Sequence, residues 1–390
     1  MAHVRQDALP HPTRNYLHLL RTARGMFEPD ELERLAPRLR SGPRLAEVNG
    51  QGAGGLDPIA ATEAIAYDFL SKGGKYSRPF ITLAAYDALA NGNGSRAQRG
   101  HADADRLTDA VRRAALSIEA FHKASLVHDD IQDGDAFRYG EPTLHEQHGV
   151  ATAINVGDYL IGLGYRLASR DTSTLGADTA ADILNKLADA HTKLSEGQGA
   201  ELVWRDSRDK RLTSDDALSI YALKTAPAFE AAMYCGLRLA GPADHYARPV
   251  TQLAKHVGIA FQILNDLKDW QGDDYNKLLA GGDVLGGRPT VLWALALERL
   301  DEDDLKQLEA LVAQAEPTPE TLDQVRGLYQ RARVFESARQ LVDEHESLAV
   351  SVADELEPTA LRSLALYLID IVLQRQEAGP PAARLAVPAR

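Results

Sequence analysis

Apolar residues recur every three to four positions along most of this chain, and runs of strict alternation are almost absent. Alanine, leucine, glutamate and arginine, all good helix formers, fill these stretches. The pattern predicts helices over 59–70, 79–90, 107–131, 150–169, 177–204, 214–239, 247–270, 290–314, 319–345 and 358–376, and hence an all-α fold. Four stretches interrupt it. Asn49-Gly50-Gln51-Gly52-Ala53-Gly54-Gly55 reads as a hinge after a short N-terminal helical region. A polar loop runs from Asn91 to about Asp105. The glycine-rich, charged segment Gln271–Pro289 is too irregular for a helix, and the proline-bearing tail after Gly379 is expected to be disordered. The expected organisation is an N-terminal extension over 1–55, one large helical-bundle domain over 56–377 and a tail over 378–390.

Composition narrows the function classes. Of 390 residues, 44% are hydrophobic and 25% charged, as in an ordinary globular protein. The formal net charge of −13 argues against nucleic-acid binding but not against an anionic substrate, because metal ions reverse a local potential. Cys235 is the single cysteine, which rules out an intramolecular disulfide and fits a cytoplasmic location. No apolar run approaches the ~18 residues that span a bilayer, and the first residues lack a signal-peptide core. A soluble protein without a membrane span is expected.

The candidate chemistry lies in two acidic clusters. In Asp129-Asp130-Ile131-Gln132-Asp133, helical geometry sets Asp133 and Asp130 roughly 40° and 100° from Asp129, so three carboxylates share a face. Like charges that close raise one another's pKa unless cations neutralise them. Such hard oxygen ligands suit Mg²⁺. A second cluster, Asn265-Asp266-Leu267-Lys268-Asp269, repeats the spacing with asparagine in first place. Taken alone, either cluster reads equally well as a solvated helix face. Both, however, follow apolar segments (Ala124–Val127 and Gly258–Phe261), so the acids emerge at the end of core helices. Two such patches facing one another at one end of a bundle would make a metal and diphosphate site.

At this point the sequence resembles the trans-prenyl diphosphate synthases. FHKASLVHDDIQDGDAFRYGEPTLH is similar to their first aspartate-rich region and GIAFQILNDLKD to their second. Gly74-Lys75-Tyr76-Ser77-Arg78-Pro79, Asn155–Leu160, Glu196-Gly197-Gln198, Lys224-Thr225-Ala226 and Gly286-Gly287-Arg288-Pro289-Thr290 resemble further family landmarks, in the family's order. The resemblance spans about residues 59 to 376, and within the family the chain resembles geranylgeranyl diphosphate synthases.

It implies the isoprenoid-synthase bundle, with an active-site cavity between core helices, and a reaction that ionises, condenses and eliminates. An allylic diphosphate loses its metal-bound diphosphate, the double bond of isopentenyl diphosphate attacks the cation, and the released diphosphate takes the proton. Three Mg²⁺ ions are implied, held by Asp129, Asp133 and Asp269, with Asp130 and Asp266 as their partners. Arg138, Lys224 and Arg288 would add charge at the leaving diphosphate. Isopentenyl diphosphate would rest on Lys75, Arg78 and His122, the last within about 20° of Asp129 around the helix and roughly 10 Å along it. Thr225, Gln198 and Gln262 are candidates for orienting the carbocation or the diphosphate. The family's usual homodimer is implied by analogy.

Two departures qualify the match. The family usually has two arginines before the glycine, the second contacting the homoallylic diphosphate, whereas this chain reads Arg138-Tyr139-Gly140. Losing a charged hydrogen bond costs about 1.5–3 kcal/mol, so isopentenyl diphosphate is expected to bind more weakly than is typical. Asn265 in the second cluster is the milder change. A terpene cyclase, or a transferase with another acceptor, is the alternative on the same fold. Small residues at Ala124 and Ser125, where short-chain members tend to carry aromatics, imply a product of twenty carbons or more, with Phe121 a candidate floor.

Overall fold

The computed structural model describes residues 13–40, 44, 57–92, 107–271, 281–314 and 318–374. Among them the fold is all-α apart from one two-stranded hairpin. The predicted hinge at 49–55, most of the 91–105 loop and the tail lie outside the described residues. The chain divides into two compact units: 1–189 with 231–247 and 357–363, and 190–230 with 248–356 and 364–390.

The first unit is organised on α5 (Asp109–Asp133), whose N-terminus is capped by the Thr108 hydroxyl accepting from the Val111 amide. Around it lie α3 (Pro58–Ser71), α4 (Ser77–Gly92) and α7 (Val150–Ser169). Helices α5 and α7 approach closely because glycine stands at the crossing points. A Cβ on Gly157 would fall 2.2 Å from His128 Nε2, and one on Gly164 would fall 2.7 Å from the Phe121 ring. The Ser117 hydroxyl closes this contact by donating to the Gly164 carbonyl at 2.7 Å. The described N-terminal residues form α1 (Thr13–Gly25) and α2 (Pro29–Leu35), and Leu19, Leu32 and Leu35 on them and Met26 and Phe27 in the turn between are buried. Glu63 ties the chain after α2 to the core. Its carboxylate accepts from the amides of Leu39 and Arg40 and from the Tyr159 hydroxyl.

The short connection after α5 folds into strands β1 (Phe137–Arg138) and β2 (Glu141–Pro142), joined by Tyr139-Gly140. Both turn residues have positive φ, 56° and 83°, as a two-residue type I′ hairpin requires. Gly140 takes this conformation freely, whereas for Tyr139 it costs roughly 1–2 kcal/mol. Short helices α6 (Leu144–His148) and α8 (Thr172–Leu175) flank α7.

Three long helices contribute residues to both units: α9 (Ala177–Asp206), α10 (Ser214–Ala240) and α11 (Asp244–Asp269). Within the second unit a Cβ on Gly197 would meet the Leu223 carbonyl carbon and the Lys224 amide nitrogen at 2.8 Å, and one on Gly258 would meet the Ala226 amide at 3.0 Å. These contacts seat α9 and α11 tightly on α10. Trp270, Tyr329 and Phe335 form an aromatic cluster with ring centroids 5.1–5.9 Å apart.

Three expectations about elements need correction. The predicted helix 290–314 is two, α13 (Val291–Arg299) and α14 (Glu302–Val312), because Asp301 accepts from the Asp303 and Asp304 amides and starts a new helix. The predicted 319–345 breaks into α15 (Pro319–Arg331) and α16 (Val334–Asp354) at Arg333, whose φ is 54°. Within the segment expected to be irregular, one helical turn, α12 (Gly282–Leu285), forms. The last helix among the described residues is α17 (Thr359–Gln374).

Candidate active site

The first aspartate cluster occupies the last turn of α5. The helix stops because Gly134 takes a left-handed conformation (φ 67°) and its N–H, like that of Asp135 at 2.9 Å, donates to the Asp130 carbonyl. Asp129, Asp130 and Asp133 therefore crowd the end where the peptide dipoles already leave negative charge. Asp130 turns inward and is only 2% exposed. Its Oδ1 accepts two bonds from the Arg138 guanidinium, through Nε at 2.8 Å and through Nη2, which also reaches Asp135 at 3.3 Å. Burial pushes the Asp130 carboxyl up and Arg138 pulls against it. Asp129 and Asp133 remain half-buried.

Beside this cluster the turn after α3 gathers the residues expected to hold isopentenyl diphosphate. Lys75 is exposed in the turn and Arg78 stands in the first turn of α4 with its Nε shielded from solvent. His122 faces the same region from α5. Burial first, then the charges of Arg78, Lys123 and Arg138, hold its imidazole well below the ordinary histidine value. It is therefore neutral at pH 7, able to donate from one ring nitrogen. Tyr139 leans back from the hairpin turn over Gly73, where a Cβ would collide with its ring at 2.5 Å. Only glycine fits there, at a φ of 60°. Burial pushes the Tyr139 hydroxyl up to about 12, so it is a donor at neutral pH.

In the second unit, Gln262 donates to the Thr225 hydroxyl at 2.5 Å, and Asn265 lies 3.5 Å from the Gln262 carbonyl oxygen. Lys224 pairs with Glu201 at 2.5 Å, on the helix that also carries Gln198. The second cluster, like the first, ends a long helix. Asp266 is buried at 6% exposure and accepts a short bond from Tyr221, whose oxygen in turn accepts the Val291 amide at 2.8 Å. Burial drives the Asp266 carboxyl well above its ordinary value. Asp269 accepts from the Asp283 amide at 3.2 Å; burial, then the Asp283 charge, raises its carboxyl to about 6. Arg288 sits 3.1 Å from Asp283.

The candidate chain-length positions lie along α5. Ala124 is buried, whereas Ser125 is half-buried and returns its hydroxyl to the His122 carbonyl at 2.8 Å. Phe121 packs edge-on to Tyr165 of α7 at 4.8 Å. Glu119, Glu201, Tyr221 and Asp283 lie in none of the motifs, and Lys123 lies within the first aspartate-rich stretch but is not one of its candidate site residues; all of them border the expected residues. For Glu119, Lys123 and Tyr221 the available sequence signal is a charge or hydroxyl at a helix position flanked by apolar residues.

The donor set suits Mg²⁺. Among the described residues no three His, Cys, Asp or Glu side chains form a closed cage for a metal. Mg²⁺ does not need one, since it takes one or two carboxylates and completes its octahedron with water and substrate phosphate. The half-buried Asp129 and Asp133, one turn apart at a negative helix end, and Asp269 at the end of α11 supply oxygens of that kind.

Comparison with known proteins gives the same direction. A family description, Polyprenyl synthetase, matches residues 60–329. A short chain isoprenyl diphosphate synthase of Methanothermobacter thermautotrophicus is 26% identical over 308 residues, 79% of this chain and 88% of its own. A geranylgeranyl diphosphate synthase of Sulfolobus acidocaldarius is 30% identical over 243 residues, 62% of this chain and 68% of its own. In fold, a geranylgeranyl pyrophosphate synthetase of Pyrococcus horikoshii superposes with a TM-score of 0.72 at 22% identity, covering 93% of this chain and 98% of that one. With that family matching more than two thirds of its length, the chain belongs to the polyprenyl synthetase family and is a trans-prenyl diphosphate synthase, a prenyltransferase.

Proposed function

We propose that this enzyme condenses an allylic diphosphate with isopentenyl diphosphate in the presence of Mg²⁺ and releases geranylgeranyl diphosphate or a longer chain. The observation that carries the reading is the pair of long helices, α5 and α11, each ending in an aspartate cluster. Asp129, Asp133 and Asp269 are the carboxylates proposed to hold Mg²⁺, three ions in all. When bound, the ions would act as Lewis acids on the leaving diphosphate. Asp130 and Asp266, both buried and engaged by Arg138 and Tyr221, are proposed to shape the clusters rather than to bind metal directly. Lys224, Arg138 and Arg288 are proposed to steady the allylic diphosphate, and Lys75, Arg78, His122 and Tyr139 the isopentenyl diphosphate. Gln198, Thr225 and Gln262 would present polar atoms to the reacting chain.

The relatives' names run from short chain to nonaprenyl, so product length is proposed from Phe121, Ala124 and Ser125 alone. The small side chains of Ala124 and Ser125 leave room beside α5 for a chain longer than fifteen carbons. A homodimer and a cytoplasmic location are part of the proposal; no helix among the described residues is long and apolar enough to cross a membrane.

The test is incubation with Mg²⁺ and dimethylallyl, geranyl or farnesyl diphosphate, each with and without isopentenyl diphosphate, followed by mass analysis. Extension by five-carbon units that stops when EDTA is added is the expected result. A cyclic hydrocarbon formed without isopentenyl diphosphate would overturn the reading. Asp129→Asn and Asp133→Asn should each lower kcat at least a hundredfold while leaving the far-UV circular dichroism unchanged.

A further inference from the structure

Lys123 stands in the middle of α5 with its side chain wholly buried. A buried ammonium is costly unless its surroundings repay the desolvation, so an apolar residue would serve packing alone better. Its Nζ donates to the Lys72 carbonyl and, at 3.2 Å, to the Gly73 carbonyl. It lies 5.0 Å from the Phe69 ring centroid and 4.4 Å from that of Tyr139. The ammonium thus grips from beneath the turn that presents Lys75 and leads into Arg78. The ring of Tyr139 closes over it from the hairpin, a cation–π contact that offsets the positive φ of that tyrosine.

Gly74 marks where these groups converge. A Cβ there would stand 3.6 Å from the Tyr139 hydroxyl, 3.8 Å from Glu119 Oε1 and 3.8 Å from Lys123 Nζ. Glu119 is the one carboxylate among them, 2% exposed, and its Oε2 has no hydrogen-bond partner among the described residues. Arg138 is already committed to Asp130 and Asp135. Arg78 and Lys123 both act on the Glu119 carboxyl, and Lys75 is exposed in the same turn. Cationic side chains gathered at one turn suit an anion with several acceptor oxygens.

We propose that Lys123 is a positioning residue of the isopentenyl diphosphate subsite: its buried ammonium pins the Gly73–Gly74 turn and the Tyr139 ring so that Lys75, Arg78 and the Tyr139 hydroxyl converge on one diphosphate. The proposal rests on the functional reading above, and adds to it the residue that sets acceptor affinity.

Steady-state kinetics of the full-length enzyme with Mg²⁺ tests it, varying each substrate in turn. Lys123→Met should raise KM for isopentenyl diphosphate at least tenfold, with kcat and KM for the allylic diphosphate within twofold of wild type. Lys123→Gln retains donors for the two carbonyls and should give a smaller rise, three- to fivefold, which keeps the test open if the methionine variant does not fold. In Lys123→Met, removing the Tyr139 side chain as well (Tyr139→Leu) should add less than twofold, since the ring has lost what it covers. A merely structural lysine would move both KM values together; that result, or an unchanged KM for isopentenyl diphosphate in a folded variant, overturns the proposal alone. A wild-type enzyme that makes no product from isopentenyl diphosphate overturns the functional reading and this inference with it.

Discussion

Replacing Arg138 by methionine isolates the stability content of the first cluster. The wild-type pair joins a carboxylate side chain 3% exposed to a guanidinium 27% exposed. Methionine keeps most of the aliphatic volume and leaves Asp130 buried without its cation. Breaking a buried pair in this way costs about 3–5 kcal/mol. The penalty also has a ceiling, because the carboxyl can take up a proton instead of staying charged. From an unfolded value near 3.9, protonation at pH 7 costs about three pH units at ~1.4 kcal/mol each, or ~4 kcal/mol. At pH 5 the same ceiling is about 1.5 kcal/mol. The sign follows from the direction of the shift. An unpaired Asp130 has a folded pKa above its unfolded one, so the variant keeps its stability below pH 4 and loses it as pH rises toward the folded value. Urea titrations followed by circular dichroism at pH 5 and 7 should therefore show a penalty that grows between the two. Asp130→Asn in the same chain should recover most of the loss at pH 7, because an amide needs no cation. A penalty below about 1 kcal/mol at pH 7 would refute the reasoning, as would equal penalties at both pH values or no recovery in the double variant.

Three further outcomes are expected. His256 and His345 meet through their Nδ1 atoms at 2.9 Å, and burial, then the charge of His256, lowers His345 to about 4. Their neutral forms are favoured above the unfolded value near 6.5, and stability is lost as pH falls from there through 4. For a half-exposed pair this is worth about 1–2 kcal/mol after solvent screening. His345→Gln should flatten the urea midpoint between pH 7 and 4.5, and parallel curves would show that the pair does not titrate as described. Ser125→Phe should shorten the product by at least one five-carbon unit with little loss of stability, as Ser125 is half-buried. Ala124→Phe, at a buried position, should destabilise by about 1–3 kcal/mol or more; mass analysis and thermal melts separate the two effects.

The all-α class and most helix spans were legible because apolar spacing is a local signal and these helices are long. The breaks at Asp301 and Arg333 were not, since a side-chain cap and a left-handed residue interrupt the chain without interrupting its apolar rhythm. Motif spacing located both aspartate clusters, but could not distinguish their members. That Asp130 and Asp266 are buried while Asp129 stays half-buried depends on Arg138 and Tyr221, partners 8 and 45 residues away. Tyr139 illustrates the limit most clearly. In sequence it reads as a lost charge, whereas in the fold its ring covers the ammonium of Lys123, a residue to which the motif assigns no role.

The Phe27 ring stacks on Tyr76 at 4.6 Å, next to Lys75 in the turn after α3. The family match begins only at residue 60, inside α3, and a chain trimmed to that boundary would lose α1, α2 and this stack together. The early helices thus share the core of the first unit. They act as a dowel in the first unit, and grafting another relative's N-terminus onto this body would remove the ring that braces the turn carrying Lys75.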